Sequence, residues 1–433
     1  MQWTTEQVLA AAPDAQVASA GKKLAEGRHW RNAGQDAEAI WGECQGSALY
    51  QVRVALADLA SKCSCPSRKF PCKHAVGLLV LAVQSPSNVP EAARPEWVAS
   101  WIEKREKPKA AAKEEKAPDP QAQAKRAAQR HERVLEGLSA LELWMNDAVR
   151  NGLADLESRG TAPWEQQASR LVDAQAPALA TRMRALATLA GATDDWTERL
   201  LGALGRVALL IHAYRRLEQL DAKLQSDVRA AIGWTLTEDE VRAHGERVAD
   251  EWVVLGSIVE DGDRVRTQRA WLAGTRSGRT ALVLQFAAGP AGFAHVLMTG
   301  TIVDADLIFW PSAYPQRALI AERRSQRSTS ALAAHATIAS MLDAAASALA
   351  AQPWLWRSGV AIDGVIPELD ARGNAWVRDR EGDVLPLAGR DHWKLLALTG
   401  GHACGLTAEW DGFALTPLAC VVDGVFHRLT EAA

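Results

Sequence analysis

The chain has 433 residues, 48% of them hydrophobic and 23% charged, with a formal net charge of −3. Its length suits roughly two to four domains of a soluble globular protein, and its charge excludes a global basic field that would draw the whole chain onto nucleic acid. The longest apolar run, Ala75 to Val83, is too short to span a bilayer, and Met1-Gln2-Trp3-Thr4-Thr5-Glu6 lacks the charged-then-apolar layout of a signal peptide, so a cytoplasmic protein with no membrane partner is expected.

Thr4 to Gln7 reads as a capping box at the start of a short helix over residues 4–11. A second helix is expected from Asp14 to Gly27, with Val17, Gly21 and Leu24 on one face. Ala39 to Gly42 and the alternating run Leu49 to Leu56 read as two strands, joined by a turn at Gln45-Gly46-Ser47. Next comes Cys63-Ser-Cys65-Pro-Ser-Arg-Lys-Phe-Pro-Cys72-Lys-His74, three thiols and one imidazole in a short window. Zinc takes four ligands in a tetrahedron and favours thiolate and imidazole. Pro66 biases Cys65 towards extended backbone, and Pro71 stiffens the chain ahead of Cys72. A disulfide framework would need an oxidising compartment, and a redox C-x-x-C pair has different spacing. One structural Zn2+ held by Cys63, Cys65, Cys72 and His74 is therefore expected, coupled to the folding of its loop. His74 opens an apolar run suited to a buried helix pinned to the metal at its first turn.

The pattern C-x-C-x(n)-C-x-H resembles the SWIM zinc finger, over roughly residues 37–84. The resemblance implies a ββα module and carries the ligand role onto Cys63, Cys65, Cys72 and His74. SWIM modules occur in Mutator-type transposases, remodelling-type ATPases, recombination accessory factors and ubiquitin-ligase-like proteins, and are associated with both DNA and protein binding. Lys62, Arg68, Lys69, Phe70 and Lys73 decorate the ligand loop, and no acid occurs from Leu59 through Pro90. They are the candidate contacts to nucleic acid or a partner; alternatively, they offset the charge of about −1 on a Cys3His zinc centre.

Residues 1–103 are thus expected to form an N-terminal domain around the finger, and 104–127, with almost no large apolar side chain, a flexible linker. Residues 128–245 repeat apolar positions at steps of three and four, as in Val134, Leu138, Leu141, Met145 and Val149, and read as a helical domain. From residue 246 to 433 an α+β, strand-rich domain is expected: an antiparallel meander with a hairpin at Asp261-Gly262-Asp263, an Ala-rich helix near 330–350, then further strands. Arg323, Arg324 and Arg327 read as a solvated start to that helix. His402 and Cys404, with Cys420, are weighed as a second metal site and set aside, since such pairs arise by accident and Cys is commonly buried. The seventeen Trp, against three Tyr and six Phe, are expected mostly as core filler among many small side chains.

The fold class expected is α+β multidomain. P-loop, G-x-S-x-G, H-E-x-x-H and dinucleotide fingerprints are absent, so neither enzymatic activity nor a small-molecule substrate is expected. The layout resembles bacterial SWIM-family proteins associated with MoxR-type AAA+ ATPases and von Willebrand-type metal-binding partners. That resemblance implies a zinc-binding adaptor in an ATPase-linked assembly, with a protein partner. DNA binding through the basic loop is the alternative, and an enzyme with a site in the C-terminal region a second one.

Overall fold

A computed structural model describes residues 3–430 except Asp14, Ser47, Asp58, Arg68, 107–119, 263–264, 289–292 and Arg390. Most of the expected linker, the tip of the 261–263 hairpin and Ser47 of the first turn therefore lie outside the described residues.

The N-terminal part opens with α1 (Thr5–Ala10) and α2 (Ala15–Lys23). Both halves of the capping box form, with Thr4 Oγ1 accepting from Gln7 N and Gln7 Oε1 from Thr4 N. A four-stranded antiparallel sheet follows: β1 (Trp30–Gln35), β2 (Ala39–Gln45), β3 (Leu49–Ala55) and β4 (Ser61–Cys63). Against it packs α3 (Lys73–Gln84), buried along its length from His74 to Ala82. The two outer strands extend the expected ββα. Strand β1 escapes a periodicity reading because a register shift between Arg31 and Gly34 breaks its alternation and Asn32 has φ 49°. Helix α4 (Glu96–Glu106) covers the other face of the sheet through Val98 and Ile102, packed with Trp41.

The middle of the chain is helical: α5 (Pro120–Asn151), α6 (Ala154–Ser158), α7 (Ala162–Asp173), α8 (Pro177–Leu186), α9 (Trp196–Arg215) and α10 (Ala222–Ile232). They share one core, in which Val134, Leu138, Leu171, Met183, Val207 and Ile211 are buried. Helix α11 (Glu238–His244) leads into the strands.

Strands β5 (Glu246–Asp261), β6 (Val265–Gly274), β7 (Thr280–Ala288), β8 (Thr301–Phe309) and β9 (Arg317–Ser328) close into a barrel in the order β5-β6-β7-β9-β8. The closing pair, β7 with β9, is parallel, so the meander expected here is a five-stranded Greek-key barrel with the strand order of OB-type folds. Trp252, Val254, Leu272, Val303 and Phe309 fill it. The three arginines read as a helix start lie on β9 instead, where Arg324 pairs with Asp304 and Asp306, and Arg327 with Glu251. Their carboxylates are strand neighbours distant in sequence.

Helix α12 (Ile338–Ala351) precedes a six-stranded antiparallel sheet, made of β10 (Ser358–Leu369), β11 (Ala375–Arg378), β12 (Val384–Pro386), β13 (Cys404–Trp410), β14 (Leu415–Val422) and β15 (Val425–Arg428), with α13 (Trp393–Thr399) before β13. Leu418, Ala419 and Phe426 of this sheet bury the outer face of the barrel at Val253, Leu255 and Trp271. Most described tryptophans are buried or half-buried, and Trp393 is the strongly exposed one. No helix among the described residues is long and apolar enough to cross a membrane.

Candidate metal centre

Each ligand is placed by a different local device. Pairing of β3 with β4 puts Cys63 opposite Val52. Ser64 then ties the loop back to β3, its amide donating to Gln51 O at 3.1 Å and its hydroxyl accepting from Gln51 N at 2.9 Å. Cys65 points its amide at Cys63 Sγ, 3.4 Å away. Cys72 is the N-cap of α3, and His74 lies in the first turn, 4% exposed, its ring 4.8 Å from that of Tyr50. Helix α3 can present this turn because α2 crosses it closely: a Cβ on Gly77 would sit 2.9 Å from Leu24 Cβ, and one on Gly21 2.6 Å from Val76 Cγ1.

The four donor atoms lie within 4.8 Å of one another. His74 Nδ1 is 3.7 Å from Cys63 Sγ and 4.0 Å from Cys72 Sγ. A tetrahedron with Zn–S bonds of about 2.3 Å has edges of about 3.8 Å, so these spacings fit the ion. The electrostatics agree. The hydrogen bond from Cys63, with others from His74 and Cys65, pulls the Cys72 thiol down to about 4, while that same pairing and burial push Cys63 far up and burial raises Cys65. Three sulfurs crowded together oppose one another's ionisation; a dication at their centre would let all three ionise. With four protein ligands no position stays open, so the ion's role there is a structural cross-link between the loop and α3.

Residues 50–82 match the family model of the SWIM zinc finger. The chain carries a SWIM zinc finger. Residues 129–232 match the SWIM-associated four-helix bundle domain, which covers the helical core described above. The finger's ligands are Cys63, Cys65, Cys72 and His74, positioned for one zinc ion. Neither curated proteins nor solved structures give a match to the chain.

Of the basic loop residues, Lys62, Lys69 and Lys73 are exposed, Phe70 is 37% exposed, and Arg68 lies outside the described residues. Lys69 Nζ reaches Gln16 Oε1 of α2 at 3.4 Å. Sequence reading passed over Tyr50 and Arg53. Tyr50 shares the core face of β3 with Val52 and Val54 and backs the ligand imidazole, a role that strand alternation alone could have signalled. Arg53 faces the other way, its guanidinium over the rings of Trp97 and Trp101 at 5.2 and 5.8 Å. Cys44 is a fully buried core residue of β2, its thiol raised to about 11 by burial. Cys404 and Cys420 are likewise buried, with thiols raised to about 12 and about 11. They do not converge with His402: the SWIM cluster is the one metal-competent Cys/His/carboxylate group found among the described residues.

Proposed function

We propose that the chain is a non-enzymatic adaptor whose SWIM module holds a protein partner, as a subunit of an assembly linked to a MoxR-type AAA+ ATPase. The observation that carries this reading is that the module is a built-in part of the larger body. Gln7 Nε2 donates to Gly300 O at 3.1 Å, Ser328 Oγ to Gln7 Oε1 at 2.6 Å, and Met298, in the segment before β8, is buried in the module's own core. A finger tied into the larger body, whose four ligands would leave a bound ion no open position, suits presenting a surface, and the loop side chains Phe70, Lys62, Lys69 and Lys73 supply one. Affinity capture from native lysate, with the zinc-loaded chain and a Cys72→Ser variant side by side, tests the reading. Recovery of a MoxR-type ATPase by the first alone is expected; equal recovery by both, or none, would sink it.

A DNA-binding reading is favoured by one feature, the exposed lysines in a stretch without acids. It requires duplex affinity that falls steeply with salt and weakens when Lys62, Lys69 and Lys73 become Ala. Salt-independent or absent binding removes it.

A further inference from the structure

The helical bundle and the barrel do not close fully on each other. Between them lies a cavity of about 1010 Å3, walled by α9 and α10 on one side and by the β8–β9 loop and residues 352–357 on the other. Its size is at the top of the usual range for a compact small-molecule site, about 300–1,000 Å3. The wall is firm. Trp354 is buried in the bundle core, its Nε1 donates to Arg206 O at 3.2 Å, and Arg206 donates back to Pro353 O at 3.0 Å and to Leu355 O. Asp227 fixes the opposite corner, accepting from Ala313 N at 2.8 Å and Gln352 Nε2 at 3.1 Å.

Two chemistries line this space. The first is aromatic: Trp234, Trp310, Tyr314 and Trp356 are all half-buried, each with some surface left open. The second is cationic. Arg216, Arg229 and Arg317 stand at its rim and form no ion pair with a described carboxylate; burial pulls the Arg317 guanidinium down, and the nearby Glu238 offsets this only in part. Within the lining Arg317 lies over Trp310 at 4.1 Å, while arginines outside it back the other rings, Arg130 over Trp234 at 4.1 Å and Arg182 and Arg206 over Trp356 at 3.9 and 3.8 Å. Arg182, Arg206 and Arg357 crowd one another there; burial first, then repulsion from Arg357 and Arg206, brings Arg182 down to about 10. Of the two lining acids, Asp227 is already satisfied, which leaves Glu218 against the arginines.

We propose that this cleft binds single-stranded nucleic acid, with bases stacking on the lining rings of Trp234, Tyr314 and Trp356 and phosphates meeting Arg216, Arg229 and Arg317. Rings and cations lining one cleft match the combination of base and phosphate that a strand presents. An acidic peptide would use the arginines but leave the rings idle. The barrel is closed, so the cleft offers no free strand edge for a peptide backbone. The outer face of β6 at Trp271 is covered by the C-terminal sheet, so the site rests on this junction and not on the fold class. It is also separate from the zinc loop.

The test uses the intact zinc-loaded chain and a labelled twelve-nucleotide oligothymidylate, followed by anisotropy and by tryptophan quenching. Expected is saturable binding with quenching, at least about tenfold tighter than thymidine monophosphate, because several bases stack at once. Replacing Arg216, Arg229 and Arg317 together by Gln should lower the salt slope by roughly 2, from about 0.7 per phosphate contact on a single strand. Lys62→Ala with Lys69→Ala and Lys73→Ala should leave this binding intact. Equal affinity for the mononucleotide, equal affinity for a polyglutamate of the same length, loss of binding in the loop variant alone, or an unchanged slope in a folded arginine variant would each overturn the proposal. A melting curve confirms that the arginine variant is folded.

Discussion

Cys72 and His74, two residues apart, bring a thiol and an imidazole Nδ1 to 4.0 Å across the first turn of α3. Two of the four ligands are therefore fixed by helix geometry, and the other two depend on β4 and its loop. The loop has little core of its own, so metal removal should loosen it first. Metal analysis of the purified chain is expected to give about one zinc per chain, and His74→Ala or Cys63→Ser well below that. Hydrogen exchange after chelation should speed up over residues 61–76 while the bundle core around Leu138 and Val207 stays protected. Uniform exchange with and without chelator would contradict a structural ion.

Gly77 in α3 gives a test whose sign is informative. An interior helix Gly replaced by Ala ordinarily gains up to about 1 kcal/mol. Here the new Cβ would meet Leu24 Cβ at 2.9 Å and Gly21 O at 3.1 Å. Gly77→Ala should instead destabilise the packing of α2 on α3 by about 1–3 kcal/mol through overpacking, read as a lower denaturation midpoint.

What was legible in the sequence was local. Cysteine spacing, the capping box at Thr4 and the apolar rhythm from Val134 to Met145 each lie within a few residues and are present in the fold, whereas Val149, expected on the same face, is exposed. What was hidden depends on distant partners. Arg324 and Arg327 suggest a helix start only because their carboxylates, Asp304, Asp306 and Glu251, come from other strands. Barrel closure rests on Leu282 and Val283 pairing with Arg317 and Ala318, which no alternation pattern announces. The cleft likewise gathers Trp234, Trp310 and Trp356, whose separations in sequence gave no hint of a shared wall.

Gly256 lies within the pairing of β5 with β6, just past Val253, where the pairing of β5 with β8 ends. The register shifts between Val254 and Gly256, and its φ is +154°. A Cβ there would stand 2.7 Å from Leu418 Cβ. Gly256→Ala should cost about 2–4 kcal/mol, combining an unfavourable backbone with overpacking against the C-terminal sheet. A thermal melt that matched wild type would show that the barrel and the sheet are not pressed together at this point.

Glu409 on β13 joins barrel and sheet electrostatically. It is 1% exposed and accepts from Trp271 Nε1 at 2.8 Å, from Arg269 Nε at 3.3 Å and from Arg357. Burial alone would raise its carboxyl, but Arg269, the Trp271 hydrogen bond and Arg357 outweigh it and hold the group below its usual 4.5. A depressed folded-state value means the unfolded chain takes up this proton first as the solution is acidified. The stabilisation is therefore complete above the unfolded value and lost as pH falls below about 4.5. Glu409→Ala leaves the buried Trp271 Nε1 without its acceptor and Arg269 with Glu260 alone, and should cost about 1–3 kcal/mol at neutral pH. Other acids titrate in the same range, so the informative quantity is the difference in urea midpoint between wild type and Glu409→Gln. It should be largest at pH 7 and shrink by about pH 3.5. A gap that stayed constant on acidification would mean that the charge of Glu409 adds nothing beyond its shape.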